Sequence, residues 1–542
     1  MEMFILVSKI TFISLTLLIL FCLLRKPQYK VYIKDNHFRY LTLFLFIITI
    51  ITTLYKFTHI PAGINVDEAG MAYDAWSIVN YGVDRYLYPF PVYFINYGGG
   101  QNSLYGYCLA FLIKFFGLSV YTLRLPSFIF RIISFLALYH ALKSNKLKCL
   151  FTLFLFSICP IFIMYSRWGL ESYLMIGMIT LAFSLTIQAI NTRKQYLYVI
   201  SGIVIGLSLY SYAISYITVP IILILLLLYL IYNKRITIKE FISVLIPVVI
   251  LAVPLILVLL VNNGVINEIV SFISIPKFIS YRGSELSLSN IINNLPYFYN
   301  LLTNDALPMS EYNSLPVFFT MYFLSIPLVV LGCILTFKDV IVAKFKDVDI
   351  DYFIAIWFVA SSISMLLIKD PNINKANAIY IPFLYFIVKS ILFLIKRIKY
   401  ILVIIVLLYS YNFYNFYSYY INDYNEVTKL NYVFATSYLE AMEKAFTLDK
   451  NIIYSSKETA EGYIYYNLLC EVEPSKFSTN IINCDKYDKI IYYIDDISIN
   501  YNAAYITHVT WAETFDMFDN DKYVLKYEVF SDKAVSWFEL KK

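Results

Sequence analysis

Long apolar runs, each close to the length of a membrane span and repeated along most of the chain, limit what this sequence can fold into. A helix crossing the hydrocarbon core of a bilayer needs about 20 predominantly apolar residues and must satisfy its own backbone hydrogen bonds. By that measure helices are expected near 4–24, 39–57, 121–142, 149–165, 170–190, 196–212, 213–232, 240–262, 316–337, 351–368, 378–395 and 400–418, roughly twelve spans. A soluble protein of 542 residues would carry far more charge than the 15% present beside 60% hydrophobic residues, so the class is a polytopic α-helical membrane protein. The net charge of +6 comes from basic residues in short scattered clusters and implies no nucleic-acid partner. Arg25-Lys26 stops the first run, with no small-residue cleavage site after it.

The basic clusters orient the chain, because Lys and Arg concentrate in short cytoplasmic loops. Arg25, Lys26, Lys30 and Lys34, then Lys143, Lys146 and Lys148, then Arg193 and Lys194, then Lys234, Arg235 and Lys239 fall in alternate connections. Lys338, Lys344 and Lys346, and finally Lys396, Arg397 and Lys399, continue the pattern. That side is read as cytoplasmic. Parity then places the loop 58–120, the tip 166–169, the hairpin 211–215, the loop 263–315, the loop 369–377 and the tail outside. The organisation expected is an extra N-terminal span and cytoplasmic linker over 1–38, a transmembrane domain over 39–421, and an extracytoplasmic α/β domain over 422–542. In the first loop, Glu68 to Tyr81 has helical periodicity, with Met71, Ala75, Ile78 and Val79 on one stripe and Asp67, Gly70, Asp74, Ser77 and Tyr81 on another. Ser103 to Phe116 is apolar but short, and reads as a helix lying at the outer interface. The tail mixes helical text over Ala435 to Phe446 with strand-like runs at 489–494 and 523–527.

Candidate chemistry centres on Asp67-Glu68, just past the second span. Asp67 reads equally as the N-cap of the following helix, with Glu68 favoured by the dipole in its first turn. A carboxylate at the water–lipid boundary also suits a general base that takes a proton from a hydroxyl. Arg167 and Glu171 lie four apart, as a plain helical ion pair does, yet charges at membrane depth are by default candidates for function, and an Arg fork suits a phosphate. Arg124 opens the third span as either an interfacial anchor or an anion ligand, and Arg131, two turns deeper, needs a partner such as a bundle carboxylate. Tyr212 in the hairpin Tyr210-Ser211-Tyr212 and the loop Lys369-Asp370-Pro371-Asn372-Ile373-Asn374-Lys375-Ala376-Asn377 add hydroxyls, amides and cations on the same side. Two acids and several cations at one boundary suit a phosphate-bearing lipid donor and a hydroxyl acceptor. Asp67 and Glu68 leave room for a divalent cation, but no ligand spacing demands one. Five cysteines sit in or beside spans as small hydrophobes, while Cys470 and Cys484 share a polar segment that permits a disulfide without requiring it.

Three stretches carry a resemblance: Val66-Asp67-Glu68-Ala69-Gly70-Met71-Ala72-Tyr73-Asp74-Ala75, then Ser103-Leu104-Tyr105-Gly106-Tyr107, then Phe116-Gly117-Leu118-Ser119-Val120-Tyr121-Thr122-Leu123-Arg124-Leu125-Pro126. With Ser166-Arg167, Glu171, the run 206–212 and Asn374–Pro382, the chain over about 40–395 resembles the protein-mannosyltransferase-like enzymes of the GT-C superfamily. The aminoarabinose transferases of lipid A are grouped with them. The resemblance implies a transferase using a sugar on a polyprenyl or dolichyl phosphate, with inversion at the anomeric carbon. It further implies Asp67 as base supported by Glu68, a donor phosphate held by Arg124, Arg167 and Lys375, and substrate contacts from Asp74, Glu171, Tyr212 and Asn377. Two departures stand out. Lys375 replaces an Arg common in the family, and the tail lacks the β-trefoil domain of eukaryotic protein mannosyltransferases.

The competing classes are a glycolipid transporter or flippase and a polysaccharide polymerase or ligase. A transporter predicts charges inside spans and similar halves. An oligosaccharyltransferase would carry Trp-Trp-Asp in its outer domain, where no such run occurs and Trp511 has no adjacent Trp.

Overall fold

The computed structural model describes residues 2–280, 285–303, 313, 315–343, 350–427, 434–457, 461–495, 502–507, 523–529 and 535–540. Lys344, Lys346 and Trp511 lie outside the described residues. The chain divides into two units. One comprises Met1–Tyr55, Ser127–Ile256 and Arg282–Ile421; the other comprises Lys56–Pro126, Leu257–Tyr281 and Asn422–Lys542.

In chain order the helices are α1 (Glu2–Leu23), α2 (Asp35–Leu54), α3 (Val66–Tyr81), α4 (Ser103–Phe116), α5 (Val120–Leu142), α6 (Lys146–Ile158), α7 (Pro160–Tyr165), α8 (Glu171–Thr192), α9 (Gln195–Ser208), α10 (Ser215–Tyr232) and α11 (Ile238–Asn262). They continue as α12 (Asn290–Asn294), α13 (Tyr297–Thr303), α14 (Ile326–Val342), α15 (Ile350–Leu367), α16 (Tyr380–Ile395), α17 (Ile401–Asn422), α18 (Tyr424–Val427), α19 (Thr436–Phe446) and α20 (Tyr463–Leu469). Among the described residues ten helical stretches are long and apolar enough to cross a membrane, which makes this a polytopic α-helical membrane protein.

All twelve expected positions are helical, but two fall short of a span. The run 149–165 splits into α6 and α7 because Pro160 has no N–H to continue the ladder and instead starts α7. The run 196–212 yields only the 14 residues of α9 before the chain turns at Leu209. The expected 316–337 helix begins later, at Phe323, after a turn-rich approach. Two glycines of the first unit stand hard against a neighbouring helix: a Cβ on Gly332 of α14 would collide with the Phe386 carbonyl of α16, and one on Gly202 of α9 with the Val244 carbonyl of α11.

The second unit gathers the first long loop, a connecting segment and the tail. Strands β1 (Tyr93–Asn96) and β2 (Gly99–Asn102) form an antiparallel hairpin, with Asn96 opposite Gly99 at its tip. The tail is the expected α/β module. Its strands β3 (Ile452–Ser456), β4 (Ile481–Cys484), β5 (Lys489–Ile494), β6 (Ala503–Thr507), β7 (Tyr523–Val529) and β8 (Val535–Leu540) form one sheet in the order β4-β5-β3-β6-β8-β7. Parallel pairing joins β3 to β5 and β6, and the remaining pairs are antiparallel. Tyr492, Tyr454 and Tyr505 stack across the three parallel strands at 5.2 and 5.6 Å. Cys470 and Cys484 form a disulfide that ties the end of α20 to the end of β4.

The tail packs on α3. The Tyr73 hydroxyl donates to the Val472 carbonyl at 2.7 Å, Tyr465 of α20 donates to the Ile64 carbonyl at 3.1 Å, and Ile64 N donates to the Phe434 carbonyl at 2.8 Å. The expected two-faced helix is therefore buried continuously from Glu68 to Ile78. Its apolar positions meet α4 and α20, and its polar stripe meets the loop that follows.

Candidate active site

The N-terminus of α3 is built on a reciprocal cap. Asn65, rather than Asp67, is the N-cap: its Oδ1 accepts the Asp67 N–H at 2.9 Å, while the Glu68 carboxylate accepts the Asn65 N–H at 2.9 Å. Glu68 is fully buried and also pairs with Arg124, whose Nε and Nη2 reach its two oxygens at 3.1 and 3.3 Å. The Arg124 guanidinium donates further to the carbonyls of Phe57, Pro61 and Gly63 at 3.4, 2.9 and 2.8 Å. A buried ion pair persists only when its other donors and acceptors are met, and here carbonyls of the preceding loop meet them. Both side chains are thus engaged within the protein, Arg124 by Glu68 and by the carbonyls of the loop before α3.

Asp67 differs from its neighbour in keeping partial solvent access. Its Oδ1 accepts from the Asn96 amide nitrogen at 3.2 Å. One turn and two turns along the same stripe lie Gly70 and Asp74, and Asp74 receives Arg85 in a fork: Nε to Oδ1 at 2.9 Å and Nη2 to Oδ2 at 2.8 Å. Arg85 Nη2 also donates to the Gly70 carbonyl at 2.5 Å, and Nη1 to Asn96 Oδ1 at 3.4 Å. Asp74 and Arg85 are both buried, so the fork is closed off from solvent. Arg85 and Asn96 have no periodic or motif signal of their own; only the polar stripe Asp67-Gly70-Asp74 hints that something polar must face it.

Beside the pair, Asp84 is buried, with Oδ1 accepting the Tyr86 and Tyr88 N–H groups at 2.9 Å each and Oδ2 accepting none among the described residues. Burial, reinforced by the Asp74 charge, pushes its carboxyl up to about 7. Burial and the Asp67 charge likewise push the Tyr97 phenol up, and burial with Glu68 and Asp67 does the same to Tyr465.

The other unit holds Arg167, Glu171, Tyr212, Lys375 and Asn377. Arg167 precedes α8, is fully buried, and donates to the Thr52, Thr53 and Tyr55 carbonyls at 3.0, 2.5 and 2.8 Å, so it closes the C-terminal end of α2. Arg131 is held by the hydroxyls of Thr52, Thr53 and Ser166 and by the Ser157 carbonyl, with no carboxylate among the described residues, contrary to expectation. Glu171 opens α8, and Tyr212 lies in the turn before α10. The segment 165–172 is tied to the loop before α16: Tyr165 donates to the Ile373 carbonyl at 2.7 Å, Trp168 donates to Asn313 at 3.0 Å, Asn313 donates to Asn374 at 2.6 Å, and Asn377 donates to the Ser172 carbonyl at 2.6 Å. Lys375 pairs with Glu285 at 3.2 Å and keeps part of its side chain exposed. Arg167, Glu171, Lys375 and Asn377 therefore share one connected set of loops. Among the described residues no group of three or more His, Cys, Asp or Glu side chains is placed to hold a metal ion.

Residues 103–261 match the family described as dolichyl-phosphate-mannose-protein mannosyltransferase. The resemblance to the mannosyltransferase family stands on that stretch. It is narrower than the 40–395 read from the sequence: the mannosyltransferase-like part contains Arg124, Arg167, Glu171 and Tyr212, while Asp67, Glu68, Asp74, Lys375 and Asn377 lie outside it. No curated protein matches the chain in sequence. Among solved structures, ArnT from Cupriavidus metallidurans bound to undecaprenyl phosphate aligns at 11% identity over 92% of this chain and 97% of that one, with a TM-score of 0.48. The archaeal oligosaccharyltransferase AglB from Archaeoglobus fulgidus, in complex with an inhibitory peptide and a dolichol-phosphate, aligns at 14% identity over 82% of this chain, with a TM-score of 0.47. The match spans 64% of the length of that archaeal enzyme.

Proposed function

We propose that this protein is a membrane glycosyltransferase that moves a sugar from a polyprenyl-phosphate donor to a hydroxyl acceptor on the extracytoplasmic face of the cell membrane. The observation that carries the reading is the asymmetry of the acidic pair. Glu68 is buried and bound by Arg124 and the helix cap, whereas Asp67 is half-exposed and oriented at the start of α3. The match of residues 103–261 to the mannosyltransferase family supports the class of donor.

In this reading Asp67 takes the proton of the acceptor hydroxyl as its oxygen attacks the anomeric carbon. The new C–O bond forms as the bond from that carbon to the lipid phosphate breaks, and the phosphate leaves with the electron pair, inverting the configuration. The Cys470–Cys484 disulfide supports the extracytoplasmic placement of the tail, since such bonds persist in oxidising compartments. Mass spectrometry of cell-surface glycans with and without the protein identifies the product. The Asp67→Asn variant is expected to lower its formation by about 10²–10⁴-fold at unchanged melting temperature. Wild-type transfer by that variant sinks the base assignment.

A further inference from the structure

Resting on the reading of Asp67 as the base, we propose that Asn96 is the residue that positions it, and that Asp74 and Arg85 act on the reaction only by holding Asn96. Four groups in line make the case. The Asp74 carboxylate grips two nitrogens of Arg85, Arg85 Nη1 donates to Asn96 Oδ1, and Asn96 Nδ2 donates to Asp67 Oδ1.

Donor and acceptor chemistry fixes the orientation of the amide. A guanidinium offers only donors and an ionised carboxylate only acceptors, so the Asn96 oxygen must face Arg85 and its nitrogen must face Asp67. Arg85 cannot swing away, because Nε and Nη2 are held by Asp74 and Nη2 by the Gly70 carbonyl, while its own backbone N–H donates to Asp74 at 3.1 Å. Gly70 makes the approach possible: a Cβ there would stand 2.8 Å from Arg85 Nη2 and 3.0 Å from Asn96 Oδ1. From the other side the hairpin is tied to the helix start, since the Tyr97 hydroxyl donates to the Val66 carbonyl at 2.7 Å. Asp67, Gly70 and Asp74 thus present one stripe of α3 to a single object, the Arg85–Asn96 pair. A donor on a fixed frame favours those rotamers of a half-exposed carboxylate that can reach it.

The test uses the full-length protein in lipid nanodiscs and reads Asp67 directly. Carbodiimide-driven coupling of glycine ethyl ester, quantified by peptide mass spectrometry across a pH series, reports the ionisation of that carboxylate, with exposed Glu443 as internal control. In Asn96→Leu the Asp67 profile is expected to move to higher pH, because a bond favouring the charged form is lost, while Glu443 stays in place. Glu68, Arg85, Tyr97, Tyr463 and Tyr465, the charged and phenolic groups around the site, are unaltered in this variant. Sugar transfer should fall by about 10²-fold in kcat with donor KM unchanged. Arg85→Lys, which keeps the charge and loses the fork, should shift the Asp67 profile in the same direction. Profiles that superimpose on wild type in a folded Asn96→Leu protein overturn the proposal, and if Leu prevents folding, Asn96→Ala is judged by the same criterion. Because the labelling needs no turnover, its outcome is independent of whether Asp67→Asn abolishes transfer.

Discussion

Adjacent carboxylates can have opposite fates when their helix positions differ by one. Glu68 occupies the third position of α3, where its side chain folds back to the cap and meets Arg124; Asp67, one residue earlier, points along the polar stripe. Glu68→Gln is expected to leave the Arg124 guanidinium buried without its counter-charge, lowering stability by about 3–5 kcal/mol. Thermal melting checks this, and a shift of less than a degree or so in Tm would contradict it. Asp84 carries a pH dependence of its own. Its folded-state carboxyl sits at about 7 against an ordinary 3.8, so the folded chain keeps the proton longer than the unfolded chain. The stabilising contribution is complete below the unfolded value and is lost as pH rises through about 7, at most about 4 kcal/mol by linkage. Asp84→Asn retains the acceptor for Tyr86 and Tyr88 and should flatten the fall in melting temperature across that window. Parallel slopes for variant and wild type would refute the assignment.

At the scale of elements, hydrophobic text located all twelve helical positions and even the short α4, because length and apolar content are local properties. The shortfalls were local too: Pro160 broke one run, and α9 stopped where the chain turned after Ser208. What escaped was tertiary. The partners of Arg131 are hydroxyls from α2 and the turn after α7 and a carbonyl of α6, and the Asn96 amide that reaches Asp67 comes from a hairpin whose sequence is rich in Gly and aromatic residues. No periodicity encodes such pairings. Helix packing depends on positions that sequence alone does not single out, and Gly332 is one. Gly332→Val puts a branched side chain against the Phe386 backbone, so α14 and α16 must separate, at a cost of about 1–3 kcal/mol or more. Expression as a stable monodisperse protein should fall; a variant that melts at the wild-type temperature would show that the helices give way freely.

For the whole molecule, each unit is assembled from three separated stretches of chain, so neither is a contiguous domain in sequence. The tail is stapled by the Cys470–Cys484 bond, whose residues are 14 apart. A loop of that size contributes about 3 kcal/mol by restricting the unfolded chain. The double Cys470→Ser, Cys484→Ser variant should therefore melt several degrees lower under oxidising conditions and match wild type under strong reductant. Equal melting of the two proteins without reductant would exclude a structural role for the bond.

The interleaving of the second unit also fixes an order of events during synthesis. Gly63, Ile64 and Tyr73 are covered by Phe434, Tyr465 and Val472, which leave the ribosome more than about 300 residues after the first loop ends. At the usual pace of about 5–20 residues per second, that delay lasts roughly 15–60 s. For all of that interval the first loop has only half of its core and no cover, so its survival against proteases depends on how fast the rest of the chain is made.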